Sequence, residues 1–164
     1  MVFPYYRKLS AAQKRIYRTS DEIAGVDLPA PQDLRPVVEK LRTALEGEDS
    51  EQVEELCRLI ATGLSDRLKV PLVRINVLAV RPSASWGELH GLYEPAESRA
   101  SAVISLWMRT AKHRRVVAFK SFLRTLLHEF CHHLDYHLFK LPDSFHTEGF
   151  YKRESSLFHQ LAAE

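Results

Sequence analysis

An α+β fold, with a small sheet of three or more strands packed on one long helix and braced by further helices, follows from three features of this 164-residue chain. Apolar residues recur at helical spacing from 116 to 140, three β-rich runs lie between 72 and 108, and helical patterns fill most of the first 68 residues. The length is ample for a single core. The expected organisation is one compact unit in which residues 1–48 form a helical N-terminal extension and residues 49–164 the main domain.

From the amino end, residues 10–18 predict a short helix. Gly25 to Pro36 (GVDLPAPQDLRP) is turn-rich, and residues 34–46 predict a second helix that Gly47 stops. Asp49 and Gln52 have capping-box spacing for a third helix reaching about Leu68, with Val53, Leu56, Ile60 and Leu64 on its inner face. Leu72 to Val80 (LVRINVLAV) is β-branched and aliphatic and predicts a central strand. Glu88 to Tyr93 and Ala102 to Met108 (AVISLWM) predict two more, joined by a polar loop at 94–101. The second is a candidate edge, to which an extended peptide can add as one more strand.

The long helix over 116–140 has Phe119, Leu123, Leu126, Leu127, Phe130, Leu134 and Leu138 on one side, with no proline or glycine to interrupt it. Pro142 is expected to end it, with Asp143 and Ser144 as turn or N-cap residues. A last helix follows, with Phe150, Leu157, Phe158 and Leu161 as its apolar stripe.

Composition excludes several classes. The net charge of +2 is too small to argue for nucleic acid. Local runs, Lys112-His113-Arg114-Arg115 and Arg7, Lys8, Lys14, Arg15 and Arg18, are read as solvated faces, so a nucleic-acid partner has only weak support. Cys57 and Cys131 are far apart with no C-x-x-C, which gives neither a disulfide framework nor a second structural metal site. No stretch is long and apolar enough to span a membrane, and MVFPYYRKLS lacks the apolar run of a signal peptide. The expected location is cytoplasmic, with no membrane partner; oligomeric state is unspecified.

Within the long helix stands His128-Glu129-Phe130-Cys131-His132. Imidazoles at i and i+4 project side by side from neighbouring turns and can bind one metal ion, Zn²⁺ above all. Glu129 lies about 100° around the helix from its neighbours, placed to act on a water rather than to ligate. The pair points well away from the apolar stripe and is free to line a cleft. His133 and His137 are also four apart, but on a rotated face with no base between them, and are read as surface or structural. Cys131 falls on the apolar side as a buried thiol. Asp135 shares the histidine face one turn on, suited to hydrogen-bond an imidazole from behind. A catalytic zinc usually has three protein ligands and one open position. The chain reversal after Pro142 makes His146 the favoured third, with Glu148 and Glu154 as rivals. Tyr151, Tyr93 and His90 are candidate donors to a developing oxyanion.

HEFCHHLD, the proline after it and SFHTEGFY together resemble the zincin metallopeptidases, and most closely their SprT-like branch. There H-E-x-x-H is followed within about two dozen residues by a histidine opening H-x-x-x-F or H-x-x-x-W, which His146-Thr147-Glu148-Gly149-Phe150 fits. GLYEP and AVISLW resemble the family's G-x-Y and I-x-L segments, so the likeness covers roughly residues 50–160. Minimal single-domain gluzincin-like peptidases share much of the layout. The resemblance implies a zincin-like catalytic domain over 49–164, with His128, His132 and His146 as zinc ligands and Glu129 as general base and acid in the hydrolysis of a peptide or protein substrate. The four-cysteine ribbon that many SprT-like proteins append is missing. Two alternatives stand beside a general peptidase: a regulatory protease acting on one specific or DNA-associated protein, and a non-catalytic zinc-binding module, against which Glu129 argues.

Overall fold

The computed structural model describes residues 2–84, 87–88, 90–97 and 100–162. It is α+β, with five α-helices and a mixed three-stranded sheet. Helix α1 (Ala11–Glu22) starts at a full capping box: Ser10 Oγ accepts from the Gln13 N–H and the Gln13 side chain accepts from the Ser10 N–H. Helix α2 (Arg35–Glu46) buries Val38, Leu41, Ala44 and Leu45. In α3 (Ser50–Leu68), Asp49 caps the Gln52 N–H as its spacing predicts, and Val53, Leu56, Ile60 and Leu64 are buried. The helix ends at Lys69, which takes a left-handed conformation with φ 56°.

The strands are β1 (Arg74–Val80), the two-residue pair β2 (Ser83–Ala84) and β3 (Gly87–Glu88), β4 (Gly91–Glu94) and β5 (Val103–Arg109). The order in the main sheet is β1-β5-β4, with β5 parallel to β1 and antiparallel to β4. Two expectations are therefore reversed. The 102–108 run, expected as a candidate edge, is the central strand, and the 72–80 run, expected as central, is an edge. The reason is burial on both faces: Ile104 to Met108 are buried in succession, whereas β1 alternates and leaves Leu78 46% exposed. Aliphatic, β-branched composition marks a strand without saying how many neighbours it has. The segment expected as one strand over Glu88–Tyr93 is divided between β3 and β4, with Leu89 outside the described residues.

Helix α4 (Phe119–His137) is shorter than the apolar pattern at both ends. Val116 bridges Arg109 and the Val117 N–H donates to Met108 O, so residues 116–117 belong to the sheet. The helix closes at Leu138, ahead of Pro142. Lys140 takes φ 56° and the Leu141 N–H turns back onto Asp135 O, so the turn, not the proline, is the terminator. Helix α5 (Glu148–Leu161) is capped by Thr147 Oγ1, which accepts from the Phe150 N–H.

Helix α4 packs on α5, β4 and β5, α3 backs β1, α2 lies on α3, and α1 lies on α5. One hydrophobic core runs through α2 to α5 and the main sheet and includes Val26, Leu28, Val38 and Leu41 from the first 48 residues. No helix among the described residues is long and apolar enough to cross a membrane.

Candidate metal centre and its cleft

Helix α4 projects His128 and His132 from successive turns of one face, and the short connection into α5 brings His146 against both. His146 Nε2 lies 3.2 Å from His128 Nε2 and 3.0 Å from His132 Nε2. One ligand atom from each of the three falls within 4.8 Å of the others, a group that could hold a metal ion. The rival glutamates make other contacts. Glu148 pairs with Lys152, and Glu154 lies behind the group, its Oε1 2.7 Å from His128 Nδ1.

The hydrogen bonds behind the rings settle which nitrogen faces the centre. Glu154 accepts from His128 Nδ1–H, leaving the lone pair on Nε2. For His132 the chain has two steps. Ser144 Oγ donates to Asp135 Oδ2 at 2.7 Å, so its lone pair accepts from His132 Nδ1–H, also at 2.7 Å. Asp135, expected to hydrogen-bond an imidazole itself, acts through Ser144. Burial pushes the Asp135 carboxyl up, while the Arg153 guanidinium at 3.0 Å and the Ser144 bond hold it down.

Burial also favours the neutral form of His132 and His146. His132 is lowered to about 3 by desolvation, with His146 and His128 adding to it. His146 is lowered by desolvation and by His128, with Glu154 opposing. A neutral imidazole is the form that binds a metal.

Glu129 is 7% exposed and its carboxyl is raised to about 7 by burial, with His128 opposing and Glu154 adding. What covers it is Gly91 of β4. A Cβ there would stand 2.6 Å from Thr125 Cγ2, 3.1 Å from Glu129 Cγ and 3.2 Å from Glu129 Oε1. Only glycine lets the strand lie this close to the helix. The resulting cleft, about 430 Å³, is lined by His90, Gly91, Arg124, Thr125, His128, Glu129, His146 and Glu154.

His133 is structural. It is fully buried, its Nε2–H donates to Pro71 O at 2.7 Å, and its Nδ1 therefore accepts from the Tyr93 hydroxyl at 2.8 Å. Tyr93 is thus committed as a donor and poorly placed to serve an oxyanion. Tyr151, 42% exposed, sits with its ring 6.0 Å from His128 and 5.9 Å from His146; His90 is exposed at the cleft.

Arg153, fully buried, is the residue that sequence reasoning missed. Its signal was present: 153 falls on the 150/157/161 apolar stripe of α5, where a cation must find partners. No protein-family model, curated protein or solved structure matches this chain. What it can do is therefore read from these side chains.

Proposed function

We propose that the protein is a zinc-dependent metalloendopeptidase of zincin-like fold, akin to the SprT-like proteases, with His128, His132 and His146 as zinc ligands and Glu129 as general base. The observation that carries the reading is the Glu129 carboxyl in the cleft lined by His128 and His146, whose imidazoles converge with that of His132. The donor set fits the ion. Nitrogens about 2.0–2.1 Å from a tetrahedral Zn²⁺ lie roughly 3.3 Å apart, and three neutral imidazoles suit zinc while lacking the oxygens that Ca²⁺ or Mg²⁺ would require. Bound there, zinc would lower the pKa of a water and polarise the scissile carbonyl.

The chain supplies the rest. Glu129, poised near neutrality, takes the proton of the attacking water and delivers it to the leaving amine nitrogen. Strand β4 is an edge of the described sheet beside the cleft and would hold an extended peptide as one more strand, the role that the sequence suggests for 102–108. Tyr151, its ring about 6 Å from those of His128 and His146, and His90, which lines the cleft, would be donors to a developing oxyanion. Metal analysis of the purified protein with a casein-cleavage assay tests the proposal. A zinc-loaded protein that cleaves casein no faster than Glu129→Gln sinks it.

A narrower form, a regulatory protease acting on a DNA-associated protein, is favoured by a second cavity of about 760 Å³ whose charged lining is Arg42, Arg109, Arg114, Arg115 and Lys120 against Glu46 and Glu48, with Arg42 paired to Glu39. Glu48 pairs with Arg109, while Arg114, Arg115 and Lys120 are exposed. Lys120 precedes His128 by eight residues of α4, about 12 Å of helix. Fluorescence anisotropy with a labelled DNA duplex should show salt-dependent binding that R114E/R115E abolishes; equal binding by both proteins removes this form and leaves the peptidase reading intact.

A further inference from the structure

We infer that the amino-terminal segment, residues 3–23, is a positioning element of the metal centre, with Ser20 as its hub. The inference rests on the three-histidine metal reading and asks what holds those ligands in place. His128 and His132 are fixed by their helix. His146 is not: it sits on a connection outside any helix or strand, so its direction depends on what grips that connection.

The grip comes from the other end of the chain. The Tyr5 hydroxyl donates to the His146 carbonyl at 2.8 Å. Ser20 Oγ lies 3.0 Å from Thr147 Oγ1 in a buried hydrogen bond, and the Gly149 N–H donates to Asp21 Oδ1 at 3.1 Å. The Phe145 ring meets those of Tyr5 and Tyr17, at 6.5 and 6.3 Å between centroids. Residues 145, 146, 147 and 149 are therefore each held by this segment. The approach is as close as backbone allows, since a Cβ on Gly149 would stand 2.5 Å from Ser20 O and 2.6 Å from Asp21 O.

A second arm reaches His132. Arg153 donates from one terminal nitrogen to Ser20 O at 2.6 Å and Ile23 O at 2.7 Å, and from the other to Ser20 Oγ at 2.9 Å and Asp135 Oδ1 at 3.0 Å. Asp135 passes the constraint through Ser144 to His132. Ser20 thus touches both arms, bonded to the residue next to His146 and four hydrogen bonds in series from His132. None of residues 2–48 lines the cleft, so the segment braces the site from behind and does not cover it. A site held this way binds metal without first paying to order its third ligand.

Tyr5→Phe is the cleanest test, because it deletes one hydroxyl from a solvent-accessible hydrogen bond and leaves the ring packed. Ser20→Ala removes the hub. Zinc dissociation constants would be measured by competition with a chromogenic chelator, the d–d spectrum recorded after Co²⁺ substitution, and melting of the metal-free proteins compared. The expected result is a roughly 10-fold weaker zinc affinity in each variant, an altered Co²⁺ band, and, for Tyr5→Phe, a metal-free Tm within about 2 °C of wild type. Wild-type affinity and an unchanged Co²⁺ band in Tyr5→Phe overturn the inference alone. A wild-type protein that binds no zinc overturns the metal reading beneath it, and the inference with it.

Discussion

Glu129 and His133 are four residues apart on one helix, and each can be tested without disturbing the other. Replacing Glu129 by Gln keeps shape and removes the base, so the zinc content should match wild type while casein hydrolysis falls by about 10²- to 10⁴-fold. Zinc loss in this variant, by elemental analysis, would make Glu129 a ligand rather than a base. His133→Ala should do the reverse. It strands the Pro71 carbonyl and the Tyr93 hydroxyl, a cost of roughly 1–3 kcal/mol in urea unfolding, with zinc retained. The H-E-x-x-H residues and His146 were legible in the sequence because their spacing is local and their chemistry specific. The stripe of α5 signals that Arg153 is buried, but its role and that of Ser144 were not legible, because each acquires it from partners 9 to 133 positions away.

At the scale of elements, the close passage of β4 over α4 decides how Glu129 sits. Gly91→Ala would place a methyl against Thr125 Cγ2 and Glu129, and the strand cannot retreat without losing its ladder to β5. Overpacking of this kind costs about 1–3 kcal/mol and should lower kcat through a displaced carboxyl, with zinc still bound. The second substitution Thr125→Ser removes the nearest clashing atom and should recover part of both losses; a double variant no better than the single one would refute the steric account. The elements themselves follow from periodicity and capping: Asp49 starts α3 as its spacing predicts, although the cap of α5 is Thr147 and not Asp143 or Ser144. Strand order did not follow. The 72–80 and 102–108 runs have similar composition, and only the pairing of β5 with β1 on one side and β4 on the other makes one central and the other an edge.

Across the whole molecule, the buried titratable groups set an acid response that can be signed in advance. His132 is lowered to about 3 in the fold against an ordinary 6.5, so the unfolded chain binds the extra proton. Its contribution is complete above about pH 6.5 and is lost as pH falls towards 3, at up to about 1.4 kcal/mol per pH unit. Glu129 runs the other way: raised from 4.5 to about 7, it stabilises below 4.5 and loses that contribution as pH rises through 7. Between about 4.5 and 6.5 the two slopes oppose. His133, His137 and His146 are lowered as well, which tips the sum toward loss of stability in acid. Urea unfolding of the metal-free protein should therefore show a lower midpoint at pH 5 than at pH 7. Glu129→Gln deletes the opposing slope, so its drop over the same interval should be the larger of the two. Equal drops would mean that Glu129 is already ionised in the folded state at pH 5, and would take with them the picture of a carboxyl held near neutrality by burial beneath Gly91.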